Sequence, residues 1–74
     1  MIVSEAIAYL NNLEKFPSPN EPVFILRGQD LTAPMAVYNW CERAERQGVD
    51  RDKINEAVQV AADMAKWKPR KLPD

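Results

Sequence analysis

This sequence has no histidine, one cysteine and two glycines in 74 residues. Without histidine, neither a Ser-His nor a Cys-His nucleophile pair can be assembled, and no imidazole is available to a metal. Cys41 is alone, so it closes no intrachain disulfide and completes no structural zinc site. Two glycines do not make a glycine-rich phosphate loop. No serine stands in a nucleophile-elbow context, so an enzyme is not expected, and neither is a cofactor or a metal. No apolar run approaches the ~18 residues of a membrane helix. The N-terminus has no basic region, and Ser4 and Glu5 interrupt its apolar residues, so no signal peptide is read there. A lone thiol at a core position suits a reducing compartment. The expectation is a soluble, cytoplasmic protein with no membrane contact.

Staples are missing as well. A domain of this length buries only about 60% of the surface its unfolded chain exposes. Its core rarely supplies more than ~3–5 kcal/mol without a disulfide, a metal or a second subunit. With the first two excluded, homo-oligomerisation is the remaining route. The net charge of −1 gives no global attraction to nucleic acid. The basic residues are uneven, however: Lys66, Lys68, Arg70 and Lys71 fall close together near the C-terminus, and read as a solvated tail or an anion-contacting one.

What is present fits a mainly α fold in one domain, residues 1–74. Residues 1–16 read as an amphipathic helix with Val3, Ala6, Ile7, Leu10 and Leu13 on one stripe and Ser4 as its cap. Residues 17–22 hold three prolines and read as a stiff spacer. Residues 23–27, Val-Phe-Ile-Leu-Arg, read as a short strand between Pro22 and Gly28. No second strand is visible. Either the segment is extended coil against the helices, or it pairs with a copy of itself across a two-fold axis, which is the favoured reading.

Residues 31–47 read as a second helix, capped by Asp30 or, better, Thr32, since Pro34 belongs in a first turn. Its buried stripe is Val37, Trp40, Cys41, Ala44 and Gly48. Gly48 is a left-handed stop, with Val49 folding back on it. Residues 51–67 read as a third helix capped by Asp50, buried through Ile54, Ala57, Val58, Ala61, Met64 and Ala65, with a second apolar strip of Val60, Met64 and Trp67. Residues 68–74 are the tail. The two-residue connection makes the second and third helices an αα-hairpin, and their alanines allow close approach.

The candidate binding residues begin with Arg27, Gln29 and Asp30. Arginine offers a planar fork for phosphate, glutamine both donates and accepts, and a carboxylate reads hydroxyls or exocyclic amines. They precede a helix N-terminus, where anions are favoured. Thr32, Asn39 and Arg43 continue along one polar helix face, and Trp67 beside the basic tail can stack on a base. This set suits a small anionic nucleotide-like ligand. A strand followed by two helices also resembles the ribbon-helix-helix repressors, although Val23, Phe24, Ile25 and Leu26 leave both strand faces apolar where DNA readers carry polar residues.

The run Phe24-Ile25-Leu26-Arg27-Gly28-Gln29-Asp30, then Ala33-Pro34, Trp40, Glu56-Ala57, Met64 and Trp67, resembles a group of small phage and prophage proteins over residues 21–74. That resemblance implies a counter-defence factor in a bacterial host cell. Such a factor would sequester a nucleotide signal of host immunity between subunits, or block a host defence protein directly.

Overall fold

The computed structural model describes every residue except Leu13, Phe16 and Asp74. Three helices account for its regular structure: α1 (Val3–Leu10), α2 (Ala33–Arg46) and α3 (Arg51–Lys66). Among the described residues there is no strand of two or more residues, and the fold is mainly α.

Helices α2 and α3 form the antiparallel hairpin that the short connection requires. Its turn is a Schellman closure. The Val49 amide donates to the Ala44 carbonyl at 3.0 Å and the Gly48 amide to the Glu45 carbonyl at 3.1 Å. This geometry needs a left-handed residue, and Gly48 supplies it at φ 77°. Across the turn Arg51 pairs with Glu45 at 2.9 Å, with both side chains largely exposed; such a pair contributes little stability. Asp50 caps α3 as expected, accepting from the Asp52 amide at 2.8 Å.

The seam between α2 and α3 is made of small residues. Ala33, Cys41, Ala44, Ile54 and Ala61 are its buried hydrophobic side chains, and Pro34 is buried beside them. Val37 and Ala57 pack at its edge. Among the described residues Ile54 is the one large aliphatic side chain held there, at 3% exposure. Trp40, expected on the buried stripe, is instead 45% exposed. A seam of alanines and a cysteine brings the two backbones close, which leaves an indole no room except at the rim. Val58 and Ala65 are likewise exposed rather than buried.

Helix α1 is shorter than the expected 1–16, and two residues of that span, Leu13 and Phe16, lie outside the described residues. Asn12 ends it locally. Its side-chain oxygen accepts from the amides of Glu14 at 3.1 Å and Lys15 at 3.3 Å, a turn that competes with helix propagation. At the other end Ile2, not Ser4, occupies the cap position. The Ile2 amide donates to Glu5 Oε1 at 3.0 Å, which is half of a capping box. The stripe of Val3, Ile7 and Leu10 is exposed, and α1 buries no residue. Its approach to the hairpin is through Tyr9, whose ring lies 5.9 Å below the Lys53 ammonium.

Residues 23–27 are not a strand. Among the described residues, Val23, Phe24, Ile25 and Leu26 exchange no main-chain hydrogen bond, and Phe24 is 87% exposed. A strand needs a ladder partner. The extended stretch that could offer one within the chain, at Lys71, pairs elsewhere, in a single parallel bridge to Asp30.

Candidate functional site

The open end of the hairpin, opposite the Gly48 turn, gathers most of the candidate residues. Here the N-terminus of α2 lies beside the C-terminus of α3, because the helices are antiparallel. The loop of residues 27–31 and the C-terminal tail are laced together over both.

Asp30 closes the N-terminus of α2. Its Oδ1 accepts from the Thr32 amide and from the Thr32 hydroxyl, each at 2.7 Å. Thr32 stands at the cap position, as expected, but makes no cap bond with its own side chain. The hydrogen bonds from Thr32, together with the nearby Arg70 charge and against some desolvation, hold the Asp30 carboxyl below its usual range. A carboxyl with a lowered folded-state pKa stabilises the fold above its unfolded value, and that contribution is lost as pH falls through the folded value. Wild type should therefore lose stability on acidification below about pH 4 more steeply than Asp30→Asn, which has no charge to lose. Urea melts at pH 5 and pH 3 check this, and equal losses in both proteins would count against the cap.

Arg70 closes the C-terminus of α3. Its Nη1 donates to the carbonyls of Gly28 (3.1 Å) and Met64, and its Nη2 to the Asp30 carbonyl at 3.1 Å. Met64 lies in the last turn of α3, where a cation is favoured; its carbonyl also accepts from the Trp67 amide at 3.1 Å. The Lys71 amide donates to the Gln29 carbonyl at 2.7 Å, and the Leu31 amide to the Lys71 carbonyl at 2.8 Å. The tail expected to be solvated is therefore a strap at Arg70 and Lys71. Of the apolar strip, Met64 and Trp67 meet this loop of their own chain: a Cβ on Gly28 would touch Trp67 Cβ and Cγ at 3.6 Å and Met64 Cα at 3.8 Å.

Around this lacing the side chains divide. Trp67 lies against Gly28 on one side and remains 59% exposed. Arg27, Lys66 and Lys68 are exposed, and Gln29 is half-buried. Asp30 and Thr32 are engaged with one another. Asn39 and Arg43 are exposed farther along α2, and Asn39 lines a separate shallow groove of about 480 Å³ with Met35, Tyr38, Glu42, Ile54 and Val58. The structure thus brings Arg27, Gln29, Asp30, Thr32 and Trp67 together and places Asn39 on the groove. Arg70 was read from sequence only as part of a basic tail. One signal for it was present: it is the single arginine among the lysines there, next to a proline.

Cys41 is buried, with Sγ 4.0 Å from the Ile54 carbonyl. Among the described residues no group of three or more metal-ligating side chains converges, and no helix is long and apolar enough to cross a membrane. Compared with known proteins, the chain matches no family model, no curated sequence and no solved structure.

Proposed function

We propose that this chain is a non-catalytic binding protein that holds a small anionic, nucleotide-like ligand at the open end of its hairpin, at a boundary with a second copy of itself. The observation that carries this reading is an exposed indole, Trp67, among exposed cations: Lys66 and Lys68 flank it in sequence, and Arg27 adjoins the glycine packed on it. A base stacked on an aromatic ring gains about 1–3 kcal/mol, and a guanidinium matches phosphate oxygens in pairs. The start of α2 is not the phosphate site here: the Asp30 carboxylate takes the Thr32 amide, the Asp30 main-chain carbonyl takes the Ala33 amide at 3.1 Å, and Pro34 has no amide hydrogen. Arg27 and the lysines take that role, Gln29 reads a polar edge, and Trp67 stacks. With the resemblance of residues 21–74 to small phage proteins, the proposed role is sequestration of a host immune signal.

The second copy is supported by surface area. A compact protein of 8.5 kDa exposes about 4,700 Å², whereas this chain exposes 6278 Å². Its radius of gyration is 13.3 Å, against about 11 Å for a compact chain of this length. The excess is about twice the ~800 Å² that each partner buries in a standard interface. Much of it is apolar, at Val3, Ile7, Val23, Phe24 and Ile25. The same exposed apolar surface favours a second reading, direct inhibition of a host protein by contact.

Native mass spectrometry of the purified protein, alone and with nucleotides and cyclic nucleotides, tests both parts. The expected result is an oligomer that carries or acquires a ligand of a few hundred daltons. Arg27→Ala should weaken uptake at least tenfold while leaving the oligomer intact. Undiminished binding by Arg27→Ala overturns the site. An oligomer that takes up no ligand moves the function to a protein partner.

A further inference from the structure

We infer that Arg70 is the positioning residue of this ligand surface: it fixes the main chain of residues 28–30 so that the side chains around it are free to face a ligand. This rests on the nucleotide reading above. The guanidinium spends its donors on three carbonyls, those of Gly28, Asp30 and Met64. Its neighbour Lys71 takes the one between, that of Gln29. Three consecutive carbonyls of the loop are therefore held by two consecutive residues of the tail.

The loop belongs to no helix or strand. At its C-terminal end Asp30 anchors it to α2, through its carboxylate to Thr32 and its carbonyl to the Ala33 amide at 3.1 Å, and the Asp30 amide closes one turn onto the Arg27 carbonyl at 3.0 Å; Gly28 and Gln29 are held by the strap. Hydrogen bonding through carbonyls leaves side chains uncommitted, and Arg27 stays exposed at the edge of the loop. The Met64 carbonyl on the same guanidinium ties the loop to the α3 turn just before Trp67, so one side chain sets the spacing between Arg27 and the indole. The task needs arginine. A planar fork with donors on two terminal nitrogens spans carbonyls from two elements, and a lysine ammonium presents one point of charge. The acceptors are all main-chain carbonyls, while the Asp30 carboxylate lies near enough to feel the Arg70 charge.

The test uses the full chain carrying Arg70→Gln, Arg70→Lys or Arg70→Ala, followed by amide hydrogen exchange, the NMR signal of the Trp67 indole, and titration with ATP and 3′,5′-cyclic AMP. The expected result for Arg70→Gln is exchange at least tenfold faster at Leu31 and Lys71, a displaced indole signal, and unchanged exchange at the Cys41 and Ile54 amides of the seam. Arg70→Lys, which keeps charge but not the fork, should behave like Arg70→Gln. Affinity for whichever nucleotide binds wild type should fall at least tenfold, and millimolar methylguanidinium should restore it in Arg70→Ala. A merely structural arginine would not give that rescue of affinity. Unmoved Leu31, Lys71 and indole signals overturn the inference, as does full affinity in Arg70→Gln. If Arg70→Gln and Arg70→Lys both unfold the seam, Arg70 is a stability residue and the inference fails. A wild type that binds neither nucleotide counts against the nucleotide reading and the ligand part of this one, while the exchange data still decide whether Arg70 holds the loop.

Discussion

Ile54→Ala is expected to leave most of the chain unfolded at 25 °C. Truncating a buried isoleucine to alanine costs about 2–5 kcal/mol, through lost transfer energy and the cavity left behind. A domain of this size without a staple has only ~3–5 kcal/mol in total. The cost should fall toward the high end here, because the neighbours that would have to close the cavity are Cys41, Ala44, Val37 and Ala57, which are short or stiff side chains. Leu72→Ala makes the contrast. It removes a similar side chain from an exposed position of the tail, outside the proposed interface, where surface substitutions usually stay within about 0.5 kcal/mol. Far-UV circular dichroism with thermal melts of the three proteins is the check. An Ile54→Ala protein that melts within a few degrees of wild type would show that the seam is not where the stability resides.

Phe24→Glu should convert the proposed assembly to monomers. Among the described residues Phe24 is the most exposed of the large hydrophobic side chains, and the main chain of residues 23–26 exchanges no hydrogen bond with them. If residues 23–27 pair antiparallel with a copy about Ile25, Phe24 stands opposite Leu26 of the other chain, and the two-fold makes that contact twice. An aromatic anchor at an interface centre is worth about 2 kcal/mol or more, so two should weaken association roughly 1,000-fold. Sedimentation velocity across micromolar concentrations reads this directly, and an unchanged helical spectrum in Phe24→Glu excludes unfolding as the cause. A wild type that sediments as a monomer throughout would remove the assembly from the proposal.

The hairpin was legible in the sequence because its signals are local. Asp50, Gly48 and Pro34 act on the backbone within one turn of themselves, and each stands where the structure uses it. Alanine spacing also placed Ala44 and Ala61 in the seam correctly. Trp40 and Val58 were misplaced because apolar spacing names a face and says nothing of how close the opposite helix will come. Within one chain the segment 23–27 forms no strand, for a different reason. Four apolar residues between Pro22 and Gly28 announce extended backbone, but a strand is a property of two segments, and the segment that pairs is 30 with 71. Helix α1 ended early because Asn12 can hydrogen-bond its own turn, a preference masked by the apolar period around it. At the candidate site, the residue types of 27–30 were readable, but the strap that holds them was not. Arg70 meets Gly28 across 42 positions, and no periodicity reaches that far.

Both ends of the hairpin are sealed by contacts to backbone atoms, at Ala44 and Glu45 through the Gly48 turn and at residues 28, 29, 30 and 64 through Arg70 and Lys71. Neither seal reads the identity of an outward-facing side chain on α2 or α3. The architecture therefore separates what must be kept from what can drift. Gly48, Arg70 and the small residues of the seam carry the shape. Positions such as Met35, Asn39, Arg43 and Lys66 can change in evolution at little structural cost, so a new recognition surface can arise on this chain without a new fold.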